Sequence, residues 1–160
     1  MTIRIGFGYD SHRFMDGSSI TLGGEKIPFE KGLDAHSDGD ALLHALCDAI
    51  LGAAGMGDIG KHFPDSDPKY KNIDSRVLLK NVMQKLDAKN YAVGNVDSTV
   101  ILERPKLASY IPDMQKNLSD LLNISTDKVN VKATTNEGMG FIGRGEGVAA
   151  YVVVTLLPES

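Results

Sequence analysis

Asp34-Ala35-His36-Ser37-Asp38-Gly39-Asp40-Ala41-Leu42-Leu43-His44 gathers histidines and aspartates at the start of a segment whose spacing predicts a helix from about Asp38 to Ala53. Gly52, Gly55, Gly57 and Gly60 close it. Asp40, His44 and Asp48 recur every four residues, a polar stripe on a segment otherwise made of Ala, Leu and Ile. A stripe facing water is normally rich in Lys and Glu. This one has neither, which predicts a ligand-holding face.

Working outward, Ile3 to Tyr9 alternates apolar residues with Arg and Gly and reads as a strand. Its end carries Asp10-Ser11-His12, where extended backbone would put Asp10 and His12 on one side. Ile20 to Leu22 and Lys26 to Phe29 flank Gly23-Gly24 as a hairpin. After the helix, Gly57 to Asn72 reads as a long irregular loop, a feature usually functional or mobile. A second helix runs from Asp74-Ser75 to Lys89-Asn90 with Val77, Leu78, Val82 and Leu86 on its apolar side. Val96 to Leu102 is strand-like, Pro112-Asp113 opens a third helix bearing Met114, Leu118, Leu121 and Leu122, and Val129 to Thr135 and Val148 to Leu157 are the last strands.

Strands and helices interleave without linker or repeat. The expected architecture is therefore α+β in layers, one domain over residues 1–160, with a mixed β-sheet covered on one face by helices. The uncovered face calls for a partner, and a homo-oligomer supplies one. A formal net charge of −4 leaves no footprint for nucleic acid or an anionic membrane. No apolar run approaches the roughly 20 residues a membrane span needs. The chain enters a strand pattern directly from Met1, which reads as lacking a targeting peptide and as cytoplasmic. Cys47 has no cysteine to pair with and lies among Ala45, Leu46 and Ala49, as a small buried hydrophobe would.

Asp10, His12 and His44 offer one carboxylate and two imidazoles. That is the donor set of catalytic zinc sites, which use three protein ligands and keep a fourth position open; the other reading of these three residues alone is a surface Asp and two hydrogen-bonded histidines. A bound imidazole needs a partner on its other nitrogen, and Asp48 is a candidate. His36 and His62 read either as groups acting on a proton or phosphate or as ordinary hydrogen-bonding residues. Thr134 and Thr135 at a strand end suit phosphate oxygens, and Glu137 suits a hard cation. Gly138-Met139-Gly140-Phe141-Ile142-Gly143 matches the dinucleotide fingerprint in letters only. A strand follows it rather than a helix, and the chain ends too soon for the rest of a βαβ unit.

Taken together, Asp10-Ser11-His12, Ala35-His36-Ser37-Asp38-Gly39-Asp40, His44-Ala45-Leu46-Cys47-Asp48-Ala49, Gly57-Asp58-Ile59-Gly60-Lys61, Phe63-Pro64-Asp65-Ser66-Asp67-Pro68, Val129-Asn130-Val131-Lys132-Ala133-Thr134-Thr135 and Gly140-Phe141-Ile142-Gly143-Arg144-Gly145-Glu146-Gly147 resemble the 2-C-methyl-D-erythritol 2,4-cyclodiphosphate synthase family along the whole chain. The resemblance implies a divalent metal, usually zinc, on Asp10, His12 and His44, and a Mg²⁺ or Mn²⁺ ion on Glu137 that arrives with substrate. It implies a CDP-linked substrate with its diphosphate on Thr134 and Thr135, its ribose near Asp58 and Gly60, and its cytosine among Pro105, Lys106, Leu107, Ala108 and Ala133. His36 and Ser37 would meet the phosphate and erythritol end beneath a loop holding Phe63, Asp65 and Asp67. No covalent nucleophile is implied, with His36 and Thr135 in supporting roles. It further implies a homotrimer with its sheets facing the threefold axis, and an axial cavity near Phe141 and Arg144 that can hold an isoprenoid diphosphate. Two other readings fit the same ligands: a metal-dependent phosphohydrolase using activated water, and a non-catalytic zinc-stabilised trimer that senses isoprenoid diphosphates.

Overall fold

β1 (Arg4–Asp16) turns Gly6 and Gly8 inward and Ile5, Phe7 and Tyr9 outward in the computed structural model, which describes residues 2–160. The strand continues well past Tyr9, where the residue pattern suggested its end. The partner strand keeps pairing as far as Arg13 opposite Gly147, and a further strand takes over from Arg13 to Asp16. Asp10 and His12 therefore sit inside a paired strand, on its inward side, and not on a loose tip.

β7 (Gly147–Pro158) lies at the centre of a five-stranded mixed sheet, antiparallel to β1 on one side and to β5 (Tyr91–Ile101) on the other. β6 (Val129–Thr134) pairs parallel with β5 at one edge, and β4 (Lys31–Asp34) pairs with β1 at the other. β2 (Ser19–Leu22) and β3 (Glu25–Pro28) form a separate hairpin turning at Gly23-Gly24, both with positive φ. The four-residue β4 has no alternation to announce it.

α1 (Ala41–Ala53) is buried nearly all round, against β1 and β7 on one side and α3 (Ser75–Asp87) on the other. It begins three residues later than its spacing suggested, because Asp40 is its N-cap and accepts the Leu43 N–H at 3.0 Å. α4 (Ile111–Leu122) packs by β6 and links β5 to it as a parallel crossover. Val77 points outward from α3 and Leu79 takes its place in the core, alongside Val82, Leu86, Met114 and Leu118. The stretch expected to be an irregular loop holds a helical turn, α2 (Ile59–His62), and a 3₁₀ turn at Pro68–Tyr70. The glycine segment forms α5 (Gly140–Gly143) and runs straight into β7, so it opens no dinucleotide-binding helix. Among the described residues no helix is long and apolar enough to cross a membrane.

The helices lie on one face of the sheet. On the other, Ile5, Phe7 and Tyr9 of β1 stand opposite Thr155, Val153 and Tyr151 of β7, all outward-facing, with Phe7 the most exposed of the aromatics at 61%. Tyr9 and Phe7 stack on Tyr151 at ring distances of 5.0 and 6.1 Å. β5 and β6 continue this face in polar residues, where Asp97 accepts from Lys132 Nζ at 2.8 Å and Asn130 Nδ2 at 3.1 Å.

Candidate metal centre and substrate cavities

Close packing of α1 on β1 brings His44 to Asp10 and His12. Asp10 Oδ2 lies 2.8 Å from His12 Nε2 and 3.0 Å from His44 Nδ1, and the two ring nitrogens are 3.2 Å apart. A tetrahedral ion with bonds of ~2.0–2.1 Å has donor–donor edges of ~3.3 Å, so this triangle fits one with small adjustment. Among the described residues no other group of three or more such donors comes together. The set is closed on the core side and meets solvent on the other, with His44 12% exposed. Three protein donors and an open approach mark a catalytic rather than a structural site.

The electrostatics suit a cation. Burial opposes ionisation of Asp10, but hydrogen bonds and charge from His12 and His44 outweigh it and hold the carboxyl below the usual range. Burial disfavours a charged His44 as well. Its hydrogen bond to Asp10 and the charges of Asp10, Asp40 and Asp38 prevail and raise its pKa.

The polar stripe divides on inspection. Only His44 reaches the site. Asp40 is fully buried and, besides capping α1, accepts the Gly23 and Gly24 N–H groups at 2.9 and 2.8 Å, tying the hairpin to the helix start. Burial pushes its pKa up and the neighbouring Asp38 adds to this, against three opposing backbone N–H donors. The expectation that Asp48 supports His44 is corrected: Asp48 Oδ1 accepts the Ile59 N–H at 2.7 Å and anchors α2 instead. The partner of His44 Nε2 is Ser75 Oγ at 2.7 Å, with Ser37 Oγ at 3.1 Å. In the sequence Ser75 marks only a helix start; nothing in its local sequence reveals a contact to a residue so distant in the chain.

A cavity of about 250 Å³ opens from the three ligands. His36, Ser37, Gly60, Phe63 and Asp65 line it, and Ile59, Tyr70, Ile73 and Leu78 complete an apolar wall that no motif signalled. Phe63 packs edge-on against Tyr70 with rings 5.4 Å apart. His36 Nε2 is buried without a hydrogen-bond partner, an orphan such as a bound anion would satisfy. His62 is the ordinary case, with Nε2 on the Met56 carbonyl at 2.7 Å. Asp58 and Asp67 do not line the cavity. They cap α2 and the 3₁₀ turn through the N–H groups of Lys61 (2.9 Å) and Lys69 (3.1 Å).

A second cavity of about 270 Å³ gathers Pro105, Lys106, Leu107, Ala108, Ala133, Thr134 and Thr135, every residue assigned to cytosine and diphosphate, and shares no lining residue with the first. Glu103, also in its wall, accepts the N–H groups of Asn136 and Gly138 at 2.8 and 2.9 Å, shaping the turn that presents Glu137 to solvent. Phe141 lies in a shallow depression with Ser11, His12 and Arg13, while Arg144 Nε donates to Glu146 at 2.6 Å. Cys47 is buried and its thiol pKa is driven far up, first by burial and then by Asp48 and Asp40, which leaves it no nucleophile.

A mixed sheet helix-covered on one face, carrying an open Asp-His-His cation site beside an anion-seeking cavity, defines a metal-dependent enzyme of phosphate chemistry. The chain belongs to the YgbB family, whose model matches residues 3–157. A 2-C-methyl-D-erythritol 2,4-cyclodiphosphate synthase from Methylococcus capsulatus is 61% identical over 153 residues, 96% of this chain and 97% of that protein. The Pseudomonas putida W619 enzyme of the same name is 58% identical over 98% of this chain and 99% of its own length. Among solved structures, the bifunctional IspDF of Campylobacter jejuni superposes with a TM-score of 0.93 at 45% identity, covering 97% of this chain but 42% of that longer one. A CDP complex of IspF from Plasmodium falciparum matches with a TM-score of 0.87 at 37% identity, over 99% of this chain and 97% of the other.

Proposed function

We propose that the whole chain, 1–160, acts as one cyclodiphosphate synthase domain, a phosphorus–oxygen lyase of the non-mevalonate isoprenoid route in the cytoplasm. It converts 4-diphosphocytidyl-2-C-methyl-D-erythritol 2-phosphate into 2-C-methyl-D-erythritol 2,4-cyclodiphosphate and CMP. The observation that carries this reading is the convergence of Asp10 Oδ2, His12 Nε2 and His44 Nδ1 within 2.8–3.2 Å at the mouth of a cavity. A divalent cation bound there, zinc by its donors, supplies positive charge against the repulsion between two anionic phosphates, as does a Mg²⁺ or Mn²⁺ ion held with substrate by Glu137.

The chain's own residues bind and orient. His36 Nε2 and Ser37 Oγ take the 2-phosphate and erythritol end, with Phe63 and Asp65 closing that side. Thr134 and Thr135 hold the diphosphate, and Pro105 to Ala108 with Ala133 seat the cytosine, with Asp58 and Gly60 near the ribose and Asp67 shaping the adjoining loop. An oxygen of the substrate's 2-phosphate forms the new bond to the β-phosphorus while the bond to CMP breaks, so no side-chain nucleophile is needed. Bending the substrate so that its two ends meet supplies rate through proximity.

The two cavities share no lining residue, and the sheet's outer face carries an apolar patch of the kind that marks an interface. Both features support a homotrimer in which each subunit turns this face to the threefold axis and one subunit's metal cavity adjoins its neighbour's cytosine pocket. On this reading Phe141 and Arg144 approach the axis, where an isoprenoid diphosphate is held.

Product analysis tests the reaction. A cyclic diphosphate plus CMP with no oxygen taken up from labelled water is expected; a linear bisphosphate carrying solvent oxygen would replace cyclisation by hydrolysis. A crystal structure grown with zinc, magnesium and CDP tests the assembly. It is expected to show three subunits, zinc on Asp10, His12 and His44, and the second ion on Glu137. A monomer, or CDP bound away from Pro105 to Ala108, would remove that part of the reading.

A further inference from the structure

We propose that Ser75 and Asp38 are positioning residues that fix which nitrogen of His44 faces the metal, an inference that rests on the metal-binding reading above. Ser75 is fully buried at the first position of α3. Its Oγ is 2.7 Å from His44 Nε2 and 2.5 Å from Asp38 Oδ1, and its N–H donates to Asp38 Oδ2 at 2.9 Å. Asp38 also accepts the Asp40 N–H at 3.1 Å, while its own N–H donates to the Ile73 carbonyl at 3.2 Å. The loop before α1 and the start of α3 thus clasp one edge of the imidazole.

The proton count decides the tautomer. A carboxylate receiving two backbone N–H groups acts as an acceptor, so the short contact from Ser75 is its O–H donating to Asp38. A hydroxyl has one proton, and here it is committed. Ser75 can then offer His44 only a lone pair, and a 2.7 Å contact between two lone pairs would be repulsive. His44 Nε2 therefore carries the hydrogen. Nδ1, which lies 3.0 Å from Asp10 Oδ2 and 3.2 Å from His12 Nε2, donates to Asp10 in the metal-free chain and is the nitrogen whose proton a metal ion would displace, since Nε2–H is held by Ser75. Ser37 Oγ, 3.1 Å from the same Nε2, receives the Gly39 N–H at 3.3 Å. With Nε2–H aimed at Ser75, the Ser37 hydroxyl proton is left for a ligand in the cavity. A carboxylate acting on a ring through a hydroxyl holds its orientation as well as its tautomer.

Two substitutions test this in the full-length protein. Ser75→Ala removes the acceptor. Asp38→Asn keeps the shape but can donate to Ser75, freeing the serine proton to point at Nε2 and drive the imidazole hydrogen onto Nδ1. Zinc affinity measured by competition with a chelator is expected to fall about 10- to 100-fold in each. In the zinc-loaded wild type the His44 Nε2–H should give a slowly exchanging cross-peak in ¹H–¹⁵N spectra, and Ser75→Ala should lose it. If His44→Ala binds zinc as the wild type does, the metal reading itself fails. If His44→Ala loses zinc while Asp38→Asn and Ser75→Ala bind it as the wild type does with the cross-peak intact, the relay alone is overturned. Should Ser75→Ala fail to fold, Asp38→Asn decides by the same measurements.

Discussion

His44→Ala is expected to lose its tightly held metal and to release CMP at least about 10³-fold more slowly than the wild type, at unchanged fold. The size follows from what the ion supplies: several kcal/mol of charge stabilisation, of which ~4 kcal/mol corresponds to a factor of about 10³ in rate. The fold should survive because alanine has the best helix propensity and His44 sits on a helix whose other inward positions are already filled. Asp10 and His12 remain, but two donors on one strand do not make a tight site. Metal content by elemental analysis and CMP release on the same sample check this. Full zinc occupancy with wild-type turnover would exclude His44 as a ligand.

The same histidine sets the pH dependence of metal binding. Its pKa is raised in the folded, metal-free chain. That shift stabilises the metal-free fold fully below the ordinary histidine value of about 6.5 and is lost as pH rises through the folded pKa. Asp10 works in the other direction: its lowered pKa stabilises the fold above the ordinary carboxylate value and is lost as pH falls through the folded one. Zinc must displace the His44 proton, so apparent zinc affinity should weaken about tenfold per pH unit below the folded pKa of His44 and level off above it.

The ligand set was legible because each of its residue types has chemistry of its own and their spacing limits the geometry. The D-x-H pair fixes a shared strand face, whereas the residues of the second cavity come only from the family resemblance, since no spacing in the sequence ties Pro105 to Ala133. Less visible were contacts created only by packing. Asp40, His44 and Asp48 share one spacing, yet the first is a cap, the second a ligand donor and the third an anchor for α2, because each meets a different neighbouring element. Ser75 lies 31 residues from His44, and its role comes from α3 docking on α1. β4 and α2 escaped for another reason: at four residues each they are too short to show a period. The full length of β1 is not legible because its second half is fixed by pairing with β7 and β4, not by its own alternation.

The convergence of strand and helix depends on two residues with no side chain. A Cβ built on Gly8 would lie 1.8 Å from the Ala45 carbonyl oxygen, and one on Gly6 equally close to that of Ala49. α1 therefore rests on the bare backbone of β1, and His44 is the residue next to Ala45. Gly8→Ala would force helix and strand apart by on the order of 1.5 Å to restore ordinary contact. Backbone cannot yield as a side-chain tip can, so the destabilisation should reach the upper end for overpacking, ~3 kcal/mol. For a protein of this size that is a fall in Tm of roughly 6–12 °C. Asp10 and His12 follow Gly8 on the same strand face, so the separation also opens the donor triangle, and misplacement by ~1 Å can cost about 10²-fold in rate. Gly52, on α1's exposed side, is the internal control. Nothing lies within 4 Å of its Cβ position, and alanine there should stabilise by about 0.5–1 kcal/mol through helix propensity alone. The same glycine-to-alanine change is thus expected to destabilise where β1 meets α1 and to stabilise on α1's exposed side. Thermal unfolding and zinc titration of both variants measure it, and a Gly8→Ala protein with wild-type Tm and zinc affinity would show that α1 does not need β1's bare backbone to bring His44 to Asp10 and His12.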